Sequence, residues 1–213
     1  MKITEQFEAQ FIEFIQAEMA QDLAHDINHV LRVVKAAKML CEKEGAIEEV
    51  VVPAAYLHDC FSYEKDHPER NQSSTIAANK AIQFLQKINY PEEYLDGIRH
   101  AIVAHSYSAR VPTRTLEAKI VQDADRLDAL GAIGIARCVQ VGATLNRALY
   151  NTEDTFCAER EPDDSTFILD HMYTKLLKLA LAMNTKSARE EADHRTDFMY
   201  HYLRQLKSEV SDT

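Results

Sequence analysis

Very few residues in this chain interrupt a helical pattern. With only five Gly and five Pro in 213 residues, it lacks the dense turn chemistry that a β-sandwich of this length needs. Apolar residues instead recur at three- and four-residue steps. Segment 3–19 places Phe7, Phe11, Ile12, Phe14 and Ile15 at helical spacing, and segment 26–44 does the same with Val30, Val33, Val34, Ala37 and Leu40. Gly45 is a C′ residue for the second helix, and Pro53 fits the first turn of the next. Ser73 or Ser74 would cap a helix reaching about Ile88, and Asn89-Tyr90-Pro91 breaks it. A further helix runs from Glu92 to about His105 with Tyr94, Leu95, Ile98, Ile102 and Val103 as its apolar residues. Thr115 opens a helix that brings Ile120, Val121, Ala124 and Leu127 to one side, and Gly131 and Gly134 interrupt the segment after it. The last helix, from about 187 to 206, would bury Phe198, Met199, Tyr202 and Leu206. The expected fold is all-α, a helical bundle in one domain over 1–213. Segments 61–71, 106–114 and 151–164 read as loops. The last of these is not a domain boundary, because the helices after it need somewhere to bury Ile168, Leu176, Leu177 and Leu179.

Charge narrows the partners. A net charge of −10 argues against a nucleic-acid groove or an anionic membrane surface, both of which rely on clustered Lys and Arg. No stretch approaches the roughly 20 apolar residues of a membrane span. Cys41, Cys60, Cys138 and Cys157 are widely spaced, without a Cys-x-x-Cys motif, and read as reduced thiols of a cytoplasmic protein. A Gly-rich phosphate loop, a Walker-type Gly-Lys-Ser/Thr and a Gly-x-Ser-x-Gly elbow are all missing, which disfavours nucleotide-driven motors and serine hydrolases.

The residues that carry chemistry are histidines and aspartates. His58 and Asp59 follow the apolar run 51–57, His29 lies upstream, and Asp125 lies downstream in Asp123-Ala124-Asp125-Arg126-Leu127-Asp128. Two imidazoles and two carboxylates can hold one divalent ion, suit Mn²⁺, Fe²⁺, Co²⁺, Ni²⁺ or Zn²⁺, and leave coordination positions for water and substrate. This is the donor set of a metal-assisted hydrolase. His25, four residues before His29, shares its helical face with Arg32; it either joins the ligands or caps a helix start while His29 alone points inward. Among the downstream aspartates, Asp125 has Val121 and Ala129 at helical offsets and is placed on the buried side. Asp128 adjoins that face, and Asp123 points elsewhere.

The pattern His25-Asp26-x-x-His29-x-x-Arg32-Val33, then Ala54-Ala55-Tyr56-Leu57-His58-Asp59, then His105-Ser106, then 117–128 resembles the HD-domain metal-dependent phosphohydrolases. It spans about 21–130, and His171-x-x-x-Lys175-Leu176-Leu177 with Arg195 extends it into C-terminal helices at about 163–210 that look like the stand-alone bacterial and archaeal members. The resemblance implies His29, His58, Asp59 and Asp125 as ligands of one divalent ion, Mg²⁺ included. It implies a phosphohydrolase releasing phosphate or pyrophosphate from a small phosphorylated molecule, with nucleotides the favoured class. A water made acidic by the metal would attack. Asp59 or a neighbouring carboxylate is the candidate proton acceptor, and His105 would orient water or contact a phosphate. Arg32, Arg126 and Lys175 are candidates to neutralise the phosphoryl group, and Lys65, Arg70 and Asp128 to bind substrate. Some relatives hold two metals, for which His67, His100 and His105 are the available ligands. At about 100° per residue His100 and His105 lie on different sides of their helix, so one metal is expected. A non-catalytic metal-containing regulatory module and a metal-dependent oxygenase are the alternatives, and two copies could pair through an exposed apolar helix face.

Overall fold

The computed structural model describes residues 2–19, 26–64 and 67–210. Among these there is no β-strand; an isolated bridge joins Ala148 to Phe167. The helices are α1 (Ile3–Glu18), α2 (Ile27–Glu44), α3 (Glu48–Leu57), α4 (Ser73–Lys87), α5 (Leu95–His105), α6 (Leu116–Leu127), α7 (Gly131–Thr144), α8 (Ile168–Thr174) and α9 (Lys186–Val210), with 3₁₀ turns at Arg70–Gln72, Glu92–Tyr94 and Leu176–Ala182. The chain falls into two compact units, Met1–Asp125 and Arg126–Thr213.

In the first unit α3 is the central helix, packed against α1, α2 and α5, while α4 lies along α5. Every residue from Val50 to Leu57 is buried, so α3 is apolar all round, as a helix enclosed by its neighbours must be. Pro53 is its sixth residue and lies beyond the first turn where the sequence placed it. Proline cannot donate to the carbonyl four residues back, that of Glu49. The Tyr90 hydroxyl donates to that carbonyl instead, at 2.8 Å, which is how the helix continues through the proline to deliver His58 and Asp59 at its end. The Asn89-Tyr90-Pro91 breaker therefore also repairs α3.

The start and stop signals work as read in α2. The Asp26 side chain accepts from the His29 amide at 2.8 Å, and Gly45 ends the helix at φ 70. At α4 they do not. Ser73 and Ser74 are already helical, because the Ser73 hydroxyl is taken by the Tyr63 amide and Ser74 donates to the Val103 carbonyl of α5. Thr115 does cap α6, accepting from the Ala118 amide.

In the second unit α7 packs against α8 and α9, and α9 also meets the Leu176–Ala182 turn. Gly131, at φ 71, marks the break between α6 and α7 as expected, whereas Gly134 lies inside α7 and does not interrupt it. The buried stripe of α9 is Ala188, Ala192, Thr196, Met199 and Leu203, while Phe198 is exposed. Of the expected residues Met199 is buried, Tyr202 and Leu206 are half-buried and Phe198 faces outward, because small residues, not aromatics, line the packed face. The acidic segment 151–164 is a structured loop: the Asp154 carboxylate accepts from the amides of Ala158, Glu159 and Arg160, and these bonds hold its pKa down at about 2. Arg160 anchors the loop on the fully buried Asp170 through two guanidinium nitrogens, at 2.5 and 2.7 Å. No helix among the described residues is long and apolar enough to cross a membrane.

Candidate metal centre

Three helices of the first unit and the turn after α3 bring five side chains together. His29 stands at the third position of α2, where the Asp26 cap fixes the first turn. His58 and Asp59 follow the last residue of α3, His105 is the last residue of α5, and Asp125 lies near the end of α6. His29 Nε2 is 3.5 Å from Asp125 Oδ1 and 3.8 Å from Asp59 Oδ2. His58 Nε2 is 3.4 Å from the same Asp59 oxygen, and His105 Nε2 is 3.6 Å from Asp59 Oδ1. Two overlapping triads of possible ligand atoms result, His29-His58-Asp125 and His58-Asp59-His105.

The ring orientations are set by the helix ends. His58 Nδ1 meets the Ala55 carbonyl at 2.8 Å, and His105 Nδ1 meets that of Ile102 at 2.5 Å. A carbonyl can only accept, so Nδ1 carries a proton and donates in both rings, and each ring, when neutral, turns the lone pair of Nε2 inward. His58 Nε2 is buried and makes no hydrogen bond. A buried nitrogen in that state is costly unless something occupies its lone pair, and a divalent cation would. The donor set therefore fits a metal ion, and His29, His58, Asp59 and Asp125, with His105 beside them, are the side chains that could hold it.

Charge at the centre is balanced by the pair itself. Burial alone would push the His58 pKa down, but the charge of Asp59, with Asp125 behind it, brings it up to about 9. Asp59 is driven the other way: burial raises it, and the charge of His58 with the adjacent His105 ring holds it well below the usual carboxylate range. Asp59 is thus an ionised carboxylate facing three imidazoles.

Comparisons with known proteins identify the family. Residues 26–130 match the HD domain family, and the chain is 34% identical over 191 residues to Bacillus subtilis YpgQ, covering 87% of this chain and 84% of that protein. The chain belongs to the HD-domain superfamily. Crystallised YpgQ in complex with ADP matches with a TM-score of 0.74 and 32% identity, over 96% of this chain and 95% of that one. An HD-superfamily hydrolase from Bacillus thuringiensis matches with a TM-score of 0.74 and 33% identity, over 98% and 99% of the two chains.

Within this HD protein the candidate residues divide sharply. His29, His58, Asp59, Asp125 and His105 converge. Asp125 is half-buried, its side chain 33% exposed, where offset counting expects a buried one, and Asp123, expected to point elsewhere, is the fully buried carboxylate. The end of α6 presents Asp125 at the rim, where a ligand can also meet solvent. His100 stays out, accepting from the Arg114 amide. Arg32 lies on α2 one turn beyond His29, and its charge helps to keep Asp26 ionised. Arg70 donates to the Tyr63 carbonyl. Asp128, Arg126 and Lys175 belong to the second unit. There Asp128, 3% exposed, binds Arg137 at 2.7 Å; Arg126 donates to the Ala182 carbonyl; and Lys175 is exposed at the end of α8. Lys65 and His25 lie outside the described residues.

Sequence reading passed over Gln122. Buried on α6, its amide donates to the carbonyls of Ala104 at 2.9 Å and His105 at 3.4 Å. Those are carbonyls at the end of α5, which have no helical partner. Gln122 thereby ties the helix end that bears His105 to the helix that bears Asp125. The readable signal was its position three residues before Asp125, on nearly the same helical face. Gln122→Leu keeps the volume and removes the donors. Mn²⁺ affinity, measured by calorimetric titration, is expected to fall about tenfold or more, with a stability loss of about 1–3 kcal/mol for the uncapped carbonyls. Unchanged affinity would remove Gln122 from the support of the centre.

Proposed function

We propose that this chain is a metal-dependent phosphohydrolase that releases phosphate or pyrophosphate from a small phosphorylated molecule, a nucleotide by preference. The observation that carries this reading is the convergence of two buried imidazoles and two partly exposed carboxylates, with His58 Nε2 buried and unbonded. A bound divalent cation supplies Lewis-acid polarisation of a phosphoryl oxygen and an acidified water. The protein's own groups do the rest. The histidines at the ends of α3 and α5 are fixed through Nδ1 and cannot rotate away. Asp59 is kept ionised and offers Oδ2 to His29 and His58 and Oδ1 to His105, so it can both bind cation and accept a proton. His105 Nε2, 3.6 Å from Asp59 Oδ1, is placed to take on a proton that Asp59 accepts. The ADP in the YpgQ crystal supports a nucleotide as the ligand. In a chain of net charge −10, the metal is also the natural source of the positive charge that a phosphate needs.

The test is a phosphate and pyrophosphate release screen on a nucleotide panel with Mn²⁺, Co²⁺ or Mg²⁺, coupled to elemental analysis. Hydrolysis of at least one nucleotide and one metal equivalent per chain are expected. Turnover that survives complete removal of metal would refute the mechanism.

A further inference from the structure

We propose that the stacked rings of Tyr63 and His67 form a nucleobase subsite. This rests on the phosphohydrolase reading above and specifies its substrate class. Three rings, Phe61, Tyr63 and His67, fall within the stretch that follows Asp59. The His67 ring lies flat on that of Tyr63, with centroids 4.0 Å apart and an interplanar angle of 2°. Phe61 stands edge-on to Tyr63, at 4.9 Å and 84°. Phe61 thus braces Tyr63 from the side, and the two stacked rings share one plane direction, along which a further flat ring can continue the stack. Both rings are only half-buried.

The pair is held before any ligand arrives. The Tyr63 amide donates to Ser73 Oγ at 3.0 Å, and Arg70 Nη1 donates to the Tyr63 carbonyl at 3.0 Å. The His67 amide donates to the Glu64 carbonyl at 3.0 Å, and His67 Nδ1 accepts from the Glu69 amide at 3.1 Å. That last bond places the proton of the neutral ring on Nε2. Rigid aromatic side chains lose little freedom when a ligand binds, so such a platform contributes most of its stacking energy to affinity. Arg70, a cation the sequence offers for substrate binding, is engaged with the loop backbone. Its part in recognition is then to hold Tyr63 in place.

Distance and charge favour this assignment. Tyr63 is four residues from Asp59, so their α-carbons can be no more than about 14 Å apart, within the span of an extended nucleoside triphosphate whose phosphates reach the His-Asp cluster. A strongly acidic protein gains little from long-range attraction of a polyphosphate, and stacking on a base is insensitive to that charge. A flat platform accepts any base, and purines offer it the larger face. The chemical class is therefore nucleotides over phosphorylated sugars, with weak discrimination among bases.

Steady-state kinetics of ATP and of inorganic tripolyphosphate on wild type, Tyr63→Leu, His67→Leu and Tyr63→Phe separate the two readings. Loss of either stacked ring should raise the ratio of the ATP KM to the tripolyphosphate KM about tenfold, and Tyr63→Phe should leave that ratio within about twofold because the ring is kept. A ratio unchanged in both leucine variants overturns the subsite, whether the two KM values move together or not at all. Calorimetry of ADP on the metal-free proteins provides the independent arm. If wild type hydrolyses neither compound yet binds ADP, and Tyr63→Leu binds it about tenfold more weakly, the phosphohydrolase reading fails and the subsite stands. ADP binding that is equal in both proteins overturns the subsite.

Discussion

Asp59→Asn is expected to lower turnover by on the order of 10³-fold while leaving the fold intact, because metal-assisted charge stabilisation is worth several kcal/mol and each 1.4 kcal/mol is a factor of ten. The amide is nearly isosteric but brings no charge to the point where three imidazoles converge. A second readout separates this loss from unfolding. In the metal-free protein the His58 pKa, about 9, is raised above its ordinary value chiefly by the charge of Asp59, against burial. Without that charge burial is opposed only by weaker influences, and the His58 resonance in an NMR titration should move to a much lower pH. The linkage has a definite sign. A group whose pKa is raised in the folded state adds stability below its unfolded pKa of about 6.5 and loses it as pH climbs through the folded value. Metal-free wild type should therefore lose thermal stability between about pH 6.5 and pH 9, and the asparagine variant should not. Metal uptake has the opposite dependence, since His58 must release its second proton to bind, so affinity should rise over the same range. A variant with unchanged turnover, or with an unmoved His58, would remove Asp59 from the centre.

How much of this centre could be read from the sequence depended on whether a residue's role is local. His58 and Asp59 were placed at a helix end because an apolar run and its termination are local signals, and Asp26 and Gly45 marked α2 for the same reason. The contribution of Tyr90 to α3 was not legible, since it joins a proline to a hydroxyl far along the chain. Asp125 was identified, but its exposure was misjudged, because offset counting sees the helix and not what lies across from it. Gln122 was overlooked for a related reason: a glutamine within a helix looks like a solvated side chain until the carbonyls of α5 stand opposite it. Asp128 shows the converse, a carboxylate within the motif that the structure gives to Arg137. The motif Asp123-Ala124-Asp125-Arg126-Leu127-Asp128 thus serves two ends. Asp125 joins the His-Asp cluster of the first unit, and Asp128 fastens the turn into α7 in the second, where Arg195 also donates to the Leu127 carbonyl.

That turn carries the largest expected effect on stability. Gly134 is the fourth residue of α7, and in an open helix Gly→Ala would stabilise by roughly 1 kcal/mol. Here a β-carbon would lie 2.3 Å from the carbonyl oxygen of Ala129 and 2.4 Å from its carbonyl carbon. Those are backbone atoms, with no flexible side-chain end to swing aside, and they belong to a turn held by bonds from Ala129 to Arg126 and from Leu130 to Leu127. Relief therefore requires the turn to move and to strain the Asp128–Arg137 pair within it. Gly134→Ala should accordingly destabilise by about 2–4 kcal/mol, a fall in Tm of about 5–15 °C for a chain of this size. Gly45→Ala is the matched control. Gly45 sits at φ 70 with nothing within 4 Å of its added β-carbon, so it should lose only the left-handed conformational cost, about 1–2 kcal/mol. Urea unfolding of both variants decides the matter: a Gly134→Ala protein as stable as wild type would mean that the turn between α6 and α7 yields freely, and that the Asp128–Arg137 pair does not lock it.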